Sequence, residues 1–168
     1  MDELLHPALS WPGFHAGRAF VLPLQPQFLA TPLGAHCELD GVRLQRKSEF
    51  HVTVLDREMA LAAAAGCGDA QLRAWFAALD WVPRRTGRYA LLHESKRQGD
   101  GTLECWSLIE HLHLPAMHAF RAELARVLGG AFADPVPHVT HYVRGDPNGI
   151  GVPNARTLAV RLVREIAL

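Results

Sequence analysis

Apolar and polar residues alternate along seven stretches of this chain, a pattern typical of half-buried β-strands. These stretches are residues 19–24, 37–46, 49–55, 87–97, 102–112, 136–144 and 157–166. Asp40-Gly41 and Gly99-Asp100-Gly101 are sequences typical of tight turns, so they predict hairpins over residues 37–46 and 87–112. The chain is therefore predicted to be rich in strands.

Three segments carry apolar residues at helical spacing instead. Asp56 can cap a helix over residues 57–65, Asp69 can cap a second helix, and Pro115 opens a third helix that Gly129 closes. The apolar stripe of the third helix leaves Arg121 on the other face, which we expect to be solvated. Together with the strands, these helices predict an α+β fold.

The size and charge of the chain limit its organisation and its partners. Its 168 residues, 49% of them hydrophobic, predict one globular domain over residues 1–168, with an irregular lead-in over residues 1–18. The 17 basic and 17 acidic residues balance, so duplex DNA is not an expected partner. No apolar run reaches the roughly 18 residues that a membrane span needs. We therefore expect a cytoplasmic monomer that does not bind membranes.

The same short motif occurs once in each half of the chain, on a predicted strand. The first copy is Phe50-His51-Val52-Thr53 and the second is Pro137-His138-Val139-Thr140, with the two histidines 87 residues apart. Residues two apart in a strand point to the same face, so each motif presents an imidazole beside a hydroxyl. If the two strands lie side by side, both pairs would line one groove.

Two imidazoles and two hydroxyls in one groove suit in-line displacement at phosphorus. One histidine can take a proton from the attacking oxygen while the other protonates the leaving oxygen, since a pKa near 6.5 keeps both forms accessible. The threonine hydroxyls can donate to the non-bridging phosphate oxygens. No acidic cluster accompanies either motif, so we predict a reaction without a metal or another cofactor.

Both motifs, their separation and the order of strands and helices from about residue 18 onward resemble the two-histidine (2H) phosphoesterase superfamily, which includes 2′-5′ RNA ligase-like proteins and 2′,3′-cyclic phosphodiesterases. This resemblance implies a duplicated, two-lobed α+β fold with antiparallel sheets around a central groove and helices outside. It implies that His51 and His138 are the acid and base and that Thr53 and Thr140 bind phosphate. The expected substrate is a 2′,3′-cyclic phosphate of a nucleotide or of an RNA end. The loop over residues 146–151 is not a general feature of that superfamily.

Further residues extend or compete with this interpretation. Tyr142 and Arg144 continue the His138 face if the strand stays regular, so both are candidate substrate-binding residues. His111 and His113 share a strand face and could bind a metal, although no third ligand is identifiable. Cys37, Cys67 and Cys105 are widely spaced and predict reduced core residues.

Three functional alternatives remain open from the sequence. The same acid and base would serve a 2′-5′ RNA ligase, because only the nucleophile differs between hydrolysis and ligation. A non-catalytic module could use the groove to hold a nucleotide or another phosphorylated ligand. A metal-binding protein is a third class, motivated by the ten histidines.

Overall fold

The computed structural model describes residues 3–15, 17–29, 33–132 and 134–167, and these form an α+β fold in which every strand pairing is antiparallel. The strands are β1 (Glu3–Leu4), β2 (Phe20–Leu24), β3 (His36–Leu39), β4 (Val42–Arg46), β5 (Phe50–Leu55), β6 (Arg84–Gln98), β7 (Gly101–His113), β8 (His138–Arg144) and β9 (Leu162–Ala167). The α-helices are α1 (Arg57–Gly66), α2 (Asp69–Ala77), α3 (Pro115–Leu128) and α4 (Ala155–Arg161).

The strands form one large and one small sheet. The large sheet has the order β1-β6-β7-β8-β4-β3, with β9 also paired to β6, and the small sheet consists of β2 and β5. β5 lies next to β8 without being hydrogen-bonded to it in a sheet. The two strands with the repeated motif are therefore neighbours although they belong to different sheets.

Local sequence signals account for most element boundaries. Both predicted hairpins form, and Asp40 and Gly41 have φ values of 52° and 74°, the left-handed conformation that a tight hairpin turn requires. Asp56 caps α1 by accepting a hydrogen bond from the Met59 N–H at 2.8 Å. The residue at the cap of α2 is Gly68, so Asp69 lies inside the first turn and does not cap the helix as predicted.

Residues 157–166 were predicted to form one strand, and that prediction is wrong for their first half. The Asn154 side chain accepts a hydrogen bond from the Thr157 N–H at 2.9 Å and starts α4, and the chain becomes extended only at Leu162. The lead-in is also less irregular than expected. Its β1 pairs with β6, and Leu5 and Leu9 are buried in the core.

The main core lies between the small sheet and the first three helices. Its buried residues include Leu22, Val52, Leu72, Met117, Phe120 and Leu124. Burying a side chain of this size stabilises the fold by roughly 1.5–3 kcal/mol, so this cluster fixes the position of β5. The three cysteines are buried and free, as predicted. Among the described residues, no helix combines the length and the apolar character that crossing a membrane would require.

Candidate functional site

Strands β5 and β8 bring the two copies of the motif to one cavity of about 250 Å³. On β5, Val52 is fully buried in the core, whereas His51 and Thr53 are half-buried and line the cavity. On β8, His138 and Thr140 line the same cavity and Val139 points into the core. The alternation expected of two strands has therefore placed both imidazoles and both hydroxyls in one space.

The His138 ring is held in a defined tautomer. Its Nδ1 lies 2.7 Å from the Val136 carbonyl oxygen, and because a carbonyl can only accept, Nδ1 must carry a proton. In the neutral ring Nε2 then has the free lone pair. Burial is the main cause that lowers the His138 pKa to about 4, against the raising effect of the Val136 hydrogen bond. His138 is therefore a neutral imidazole at neutral pH, with an unprotonated Nε2.

The His51 imidazole is less enclosed. Burial lowers its pKa below the usual value, the Lys47 ammonium lowers it further, and the nearby Glu49 carboxylate opposes both effects. His51 also contributes to the lowered pKa of His138, so the two rings are electrostatically coupled. The more completely buried histidine is the harder one to protonate.

The chain after β8 forms one wall of this cavity. Residues 148–153 line it, and four hydrogen bonds with side chains elsewhere in the chain hold them in place. The Lys47 ammonium donates to the Asn148 carbonyl at 3.1 Å, and the Ile150 N–H donates to the Ser107 hydroxyl at 2.9 Å. The third contact comes from α3, as described below, and in the fourth the Arg161 guanidinium of α4 donates to the Gly151 carbonyl. We call residues 148–153 the loop wall.

Gly149 lies at the closest approach between the loop wall and β8. Its φ of +84° is a conformation that other residues rarely adopt. A Cβ at this position would lie 3.3 Å from the Thr140 methyl group and from the Ser107 hydroxyl. A glycine is therefore needed for the loop wall to lie against the β8 motif.

Arg121 is a cavity residue that sequence reasoning assigned to the wrong face. It was expected on the solvated side of α3, yet only 1% of it is exposed. Its Nε donates to the Phe132 carbonyl and its guanidinium NH1 donates to the Pro153 carbonyl, each at 2.8 Å, which provides the third contact to the loop wall. The helical spacing of Met117, Arg121 and Leu124 was the available signal, because these positions share one face.

The cavity is bordered mainly by positive charge. Arg121 and Arg57 line it, and Lys47 is close enough to affect the pKa of both histidines. Asp56 is the acidic residue of the lining, and its carboxylate is engaged as the cap of α1. A bound anion would therefore find a favourable potential together with neutral hydroxyl donors.

Tyr142 and Arg144 do not line this cavity, so the expectation that they continue the His138 face is wrong. The pairing of β7 with β8 shifts between Leu108 and Ile109, where Ile109 pairs with Thr140 but Leu108 pairs with Tyr142. This bulge reverses the alternation of the side chains. Tyr142 points into a buried cluster behind the sheet and donates to the Gly34 carbonyl at 2.6 Å.

The other histidines near β8 have structural partners. His141 faces away from the cavity, and its Nε2 lies 2.8 Å from a buried carboxylate oxygen of Glu110. His111 pairs with His138 across the strands and lies 3.4 Å from a carboxylate oxygen of Glu165. In the described part of the chain, no three histidine, cysteine or acidic side chains are grouped as a metal site would require.

Comparison with known proteins identifies no relative. No family model, no curated protein and no solved structure matches this chain. The site must therefore be interpreted from its own geometry.

Proposed function

We propose that this protein is a metal-independent phosphoesterase that hydrolyses a 2′,3′-cyclic phosphate, or a related phosphodiester, at the end of a nucleotide or an RNA. The observation that carries the proposal is the meeting of both His-x-Thr pairs, 87 residues apart in sequence, in one cavity. The proposal includes the duplicated, two-lobed fold of the two-histidine phosphoesterases, which the resemblance of the motifs implies.

In the proposed reaction, His138 is the general base and His51 is the general acid. Nε2 of His138 takes a proton from water as its oxygen attacks phosphorus. The bond from phosphorus to one ribose oxygen breaks, and protonated His51 gives its proton to that oxygen. The product is a phosphate monoester, and one proton has moved from water to His138 while another has moved from His51 to the ribose oxygen.

The hydrogen bond of His138 supports this assignment of roles. With the proton held on Nδ1 by the Val136 carbonyl, the remaining nitrogen is an acceptor. The pKa of about 4 keeps this acceptor free at neutral pH. His51 is less buried, so it is the ring that holds a proton more readily when the negative phosphate binds beside it.

The threonines and the basic residues would hold the phosphate between the two rings. Thr53 and Thr140 can each donate one hydrogen bond to a non-bridging oxygen, and Arg57 and Arg121 add positive charge to the cavity. Such donors stabilise the charge that grows on these oxygens during attack. Holding the phosphorus in line between base and acid lowers the entropic part of the barrier.

Turnover of cyclic nucleotides tests the proposal. Purified protein is incubated with the four 2′,3′-cyclic nucleotides in the presence of EDTA, and the 2′- and 3′-phosphate products are separated. We expect one regioisomer to dominate, because the acid reaches only one of the two ribose oxygens. The variants His51→Ala and His138→Ala should lose about 10²–10⁴-fold in kcat, whereas His113→Ala, a change at an exposed histidine of β7, should retain activity.

Each failure of this test would have a defined meaning. Binding of the nucleotides without turnover would mean that the protein is a phosphate-binding module and not an enzyme. Joining of RNA ends without hydrolysis would favour the ligase, which uses the same acid and base with a ribose hydroxyl as nucleophile. Activity that EDTA abolishes and zinc restores would contradict a metal-independent mechanism.

A further inference from the structure

A second and larger cavity lies beyond the end of the β4–β8 pairing. Among the described residues, β4 and β8 pair at Gln45–Val143 and Arg46–Tyr142. The pairing ends there and does not continue to Leu44 of β4 and Arg144 of β8. The resulting space of about 520 Å³ is lined by His36, Arg43, Leu44, Gln45, Val143, Arg144, Gly145, Asp146 and Pro147. We call it the arginine cavity, and the cavity of His51 and His138 the histidine cavity.

The charge of the arginine cavity suits an anion. Arg43 and Arg144 are exposed, and within the described residues neither guanidinium forms an ion pair. The acidic residue of the lining, Asp146, is already neutralised, because its carboxylate lies 2.6 Å from the Lys96 ammonium. This ion pair also lowers the pKa of Asp146, so the carboxylate stays charged and paired. Two guanidinium groups therefore remain available to an incoming phosphate.

One segment of chain connects the two cavities. Gly145, Asp146 and Pro147 line the arginine cavity, and the loop wall that follows them directly lines the histidine cavity. Asp146 joins the two parts, since its carboxylate and its carbonyl accept hydrogen bonds from the Asn148 and Gly149 N–H groups. The two cavities are thus built around a single ordered turn.

The spacing of the cavities is that of a short strand of nucleotides. Thr140 lines the histidine cavity and Val143 lines the arginine cavity, three residues further along β8. The bulge in β8 places these positions opposite Ile109 and Ser107, two residues apart on β7, so at about 3.3 Å per residue they lie about 7 Å apart. That distance is short enough for neighbouring phosphates of one extended single strand to reach both cavities. One phosphate in each cavity would then belong to different nucleotides of the same strand.

We infer that the arginine cavity is a second phosphate-binding subsite, in which Arg43 and Arg144 hold a backbone phosphate of a single-stranded RNA whose end reacts in the histidine cavity. This inference rests on the proposed function, which supplies the reacting end. It selects an RNA terminus over a free nucleotide as the preferred substrate. Arg144 then has a substrate-binding role at this second cavity and not beside His138.

Kinetics with two substrates test the subsite. A cyclic mononucleotide reaches only the histidine cavity, whereas a short single-stranded oligoribonucleotide that ends in a 2′,3′-cyclic phosphate can reach both. For wild type we expect a lower KM for the oligonucleotide. The variants Arg43→Gln and Arg144→Gln, combined, should raise that KM roughly 2- to 30-fold, the range for two exposed ion pairs. Turnover of the mononucleotide should not change.

A matched control separates the subsite from the general charge of the protein. Arg73→Gln removes one positive charge from the exposed face of α2, and Arg73 lines neither cavity. It should leave the KM of the oligonucleotide unchanged, whereas Arg43→Gln or Arg144→Gln alone should raise it. Equal effects of all three variants would overturn the inference. Inorganic phosphate that alters mononucleotide turnover through the two arginines would also overturn it, since the cavity would then regulate the reaction and not hold a part of the substrate.

A binding measurement distinguishes failure of the subsite from failure of the reaction. The affinity for a fluorescent oligoribonucleotide that already ends in a 3′-phosphate is measured at several salt concentrations. Each lost phosphate contact should reduce the slope of log Kd against log salt by about 0.7. A reduced slope in the double variant, in a protein without turnover, would support the subsite and contradict the proposed reaction. Cyclic nucleotide turnover with an unchanged slope would contradict the subsite alone.

Discussion

Replacing His138 by asparagine should remove a large part of the pH dependence of the protein's stability. His138 is 7% exposed, and burial is the main cause that holds its pKa at about 4 in the folded protein, against 6.5 for an ordinary histidine. Below pH 6.5 the unfolded chain binds a proton at this position and the folded chain does not. Protons therefore favour unfolding, and stability is lost as the pH falls from 6.5 to about 4.

The magnitude follows from the two pKa values. Each pH unit between 6.5 and about 4 is worth about 1.4 kcal/mol, so the free energy of unfolding should fall by about 3 kcal/mol over this range because of His138 alone. Above pH 6.5 the contribution is constant. Asparagine suits the comparison because it does not titrate and its amide can still donate to the Val136 carbonyl.

Urea unfolding between pH 4 and pH 7.5 measures this contribution. The quantity of interest is the difference in unfolding free energy between wild type and His138→Asn, since carboxylates that titrate in both proteins cancel. That difference should decrease by about 3 kcal/mol as the pH falls from 6.5 to 4. The parallel variant His113→Asn, at an exposed position, tests whether any lost histidine has this effect. A difference for His138→Asn that stays flat across this range would refute the buried, neutral imidazole and the choice of His138 as base.

Three further outcomes are expected. His51→Ala and His138→Ala should each lower kcat by about 10²–10⁴-fold, and Thr53→Ala and Thr140→Ala by less, because water can partly replace a neutral donor; steady-state rates that rank the threonines first would contradict the roles proposed here. In wild type, kcat/KM should follow a bell with its acidic limb near pH 4, where His138 becomes protonated, and its alkaline limb below pH 6.5, where His51 loses its proton; a single limb would mean that one histidine does not titrate in the reaction. Arg121→Met should lower the free energy of unfolding by about 3 kcal/mol, because it leaves two carbonyls without their donor. Chemical denaturation measures this loss, and a smaller loss would mean that water replaces the guanidinium.

Much of the local structure could be predicted because it depends on neighbouring residues. The Asp40-Gly41 turn and the Asp56 cap each need only a few residues with the right side chains or the right φ angle. The pairing of His51 with Thr53 on one face follows from the period of a strand in the same way. The sequence therefore determined which side chains of each motif share one face of their strand.

Long-range contacts decided the rest of the site. The bulge in β8 arises from its register with β7, so the reversal that turns Tyr142 into the core is not visible in the alternation of β8 itself. Arg121 is buried because two carbonyls outside its helix accept its hydrogen bonds. The helical pattern of α3 does not show where these partners lie. The loop wall is ordered by hydrogen bonds with side chains that are distant in sequence, namely Lys47, Ser107, Arg121 and Arg161.

The difference between what the sequence determined and what only the tertiary structure decided has one physical cause. Strand period, caps and turns are set by the conformational preferences of a few adjacent residues, so the sequence by itself determined the elements and the composition of each His-x-Thr pair. Whether His51 and His138 share a cavity depends on how two sheets pack around a common core, which involves residues from the whole chain. Only the tertiary structure decided that meeting and, through the burial that accompanies it, the low pKa that keeps the His138 ring unprotonated at neutral pH.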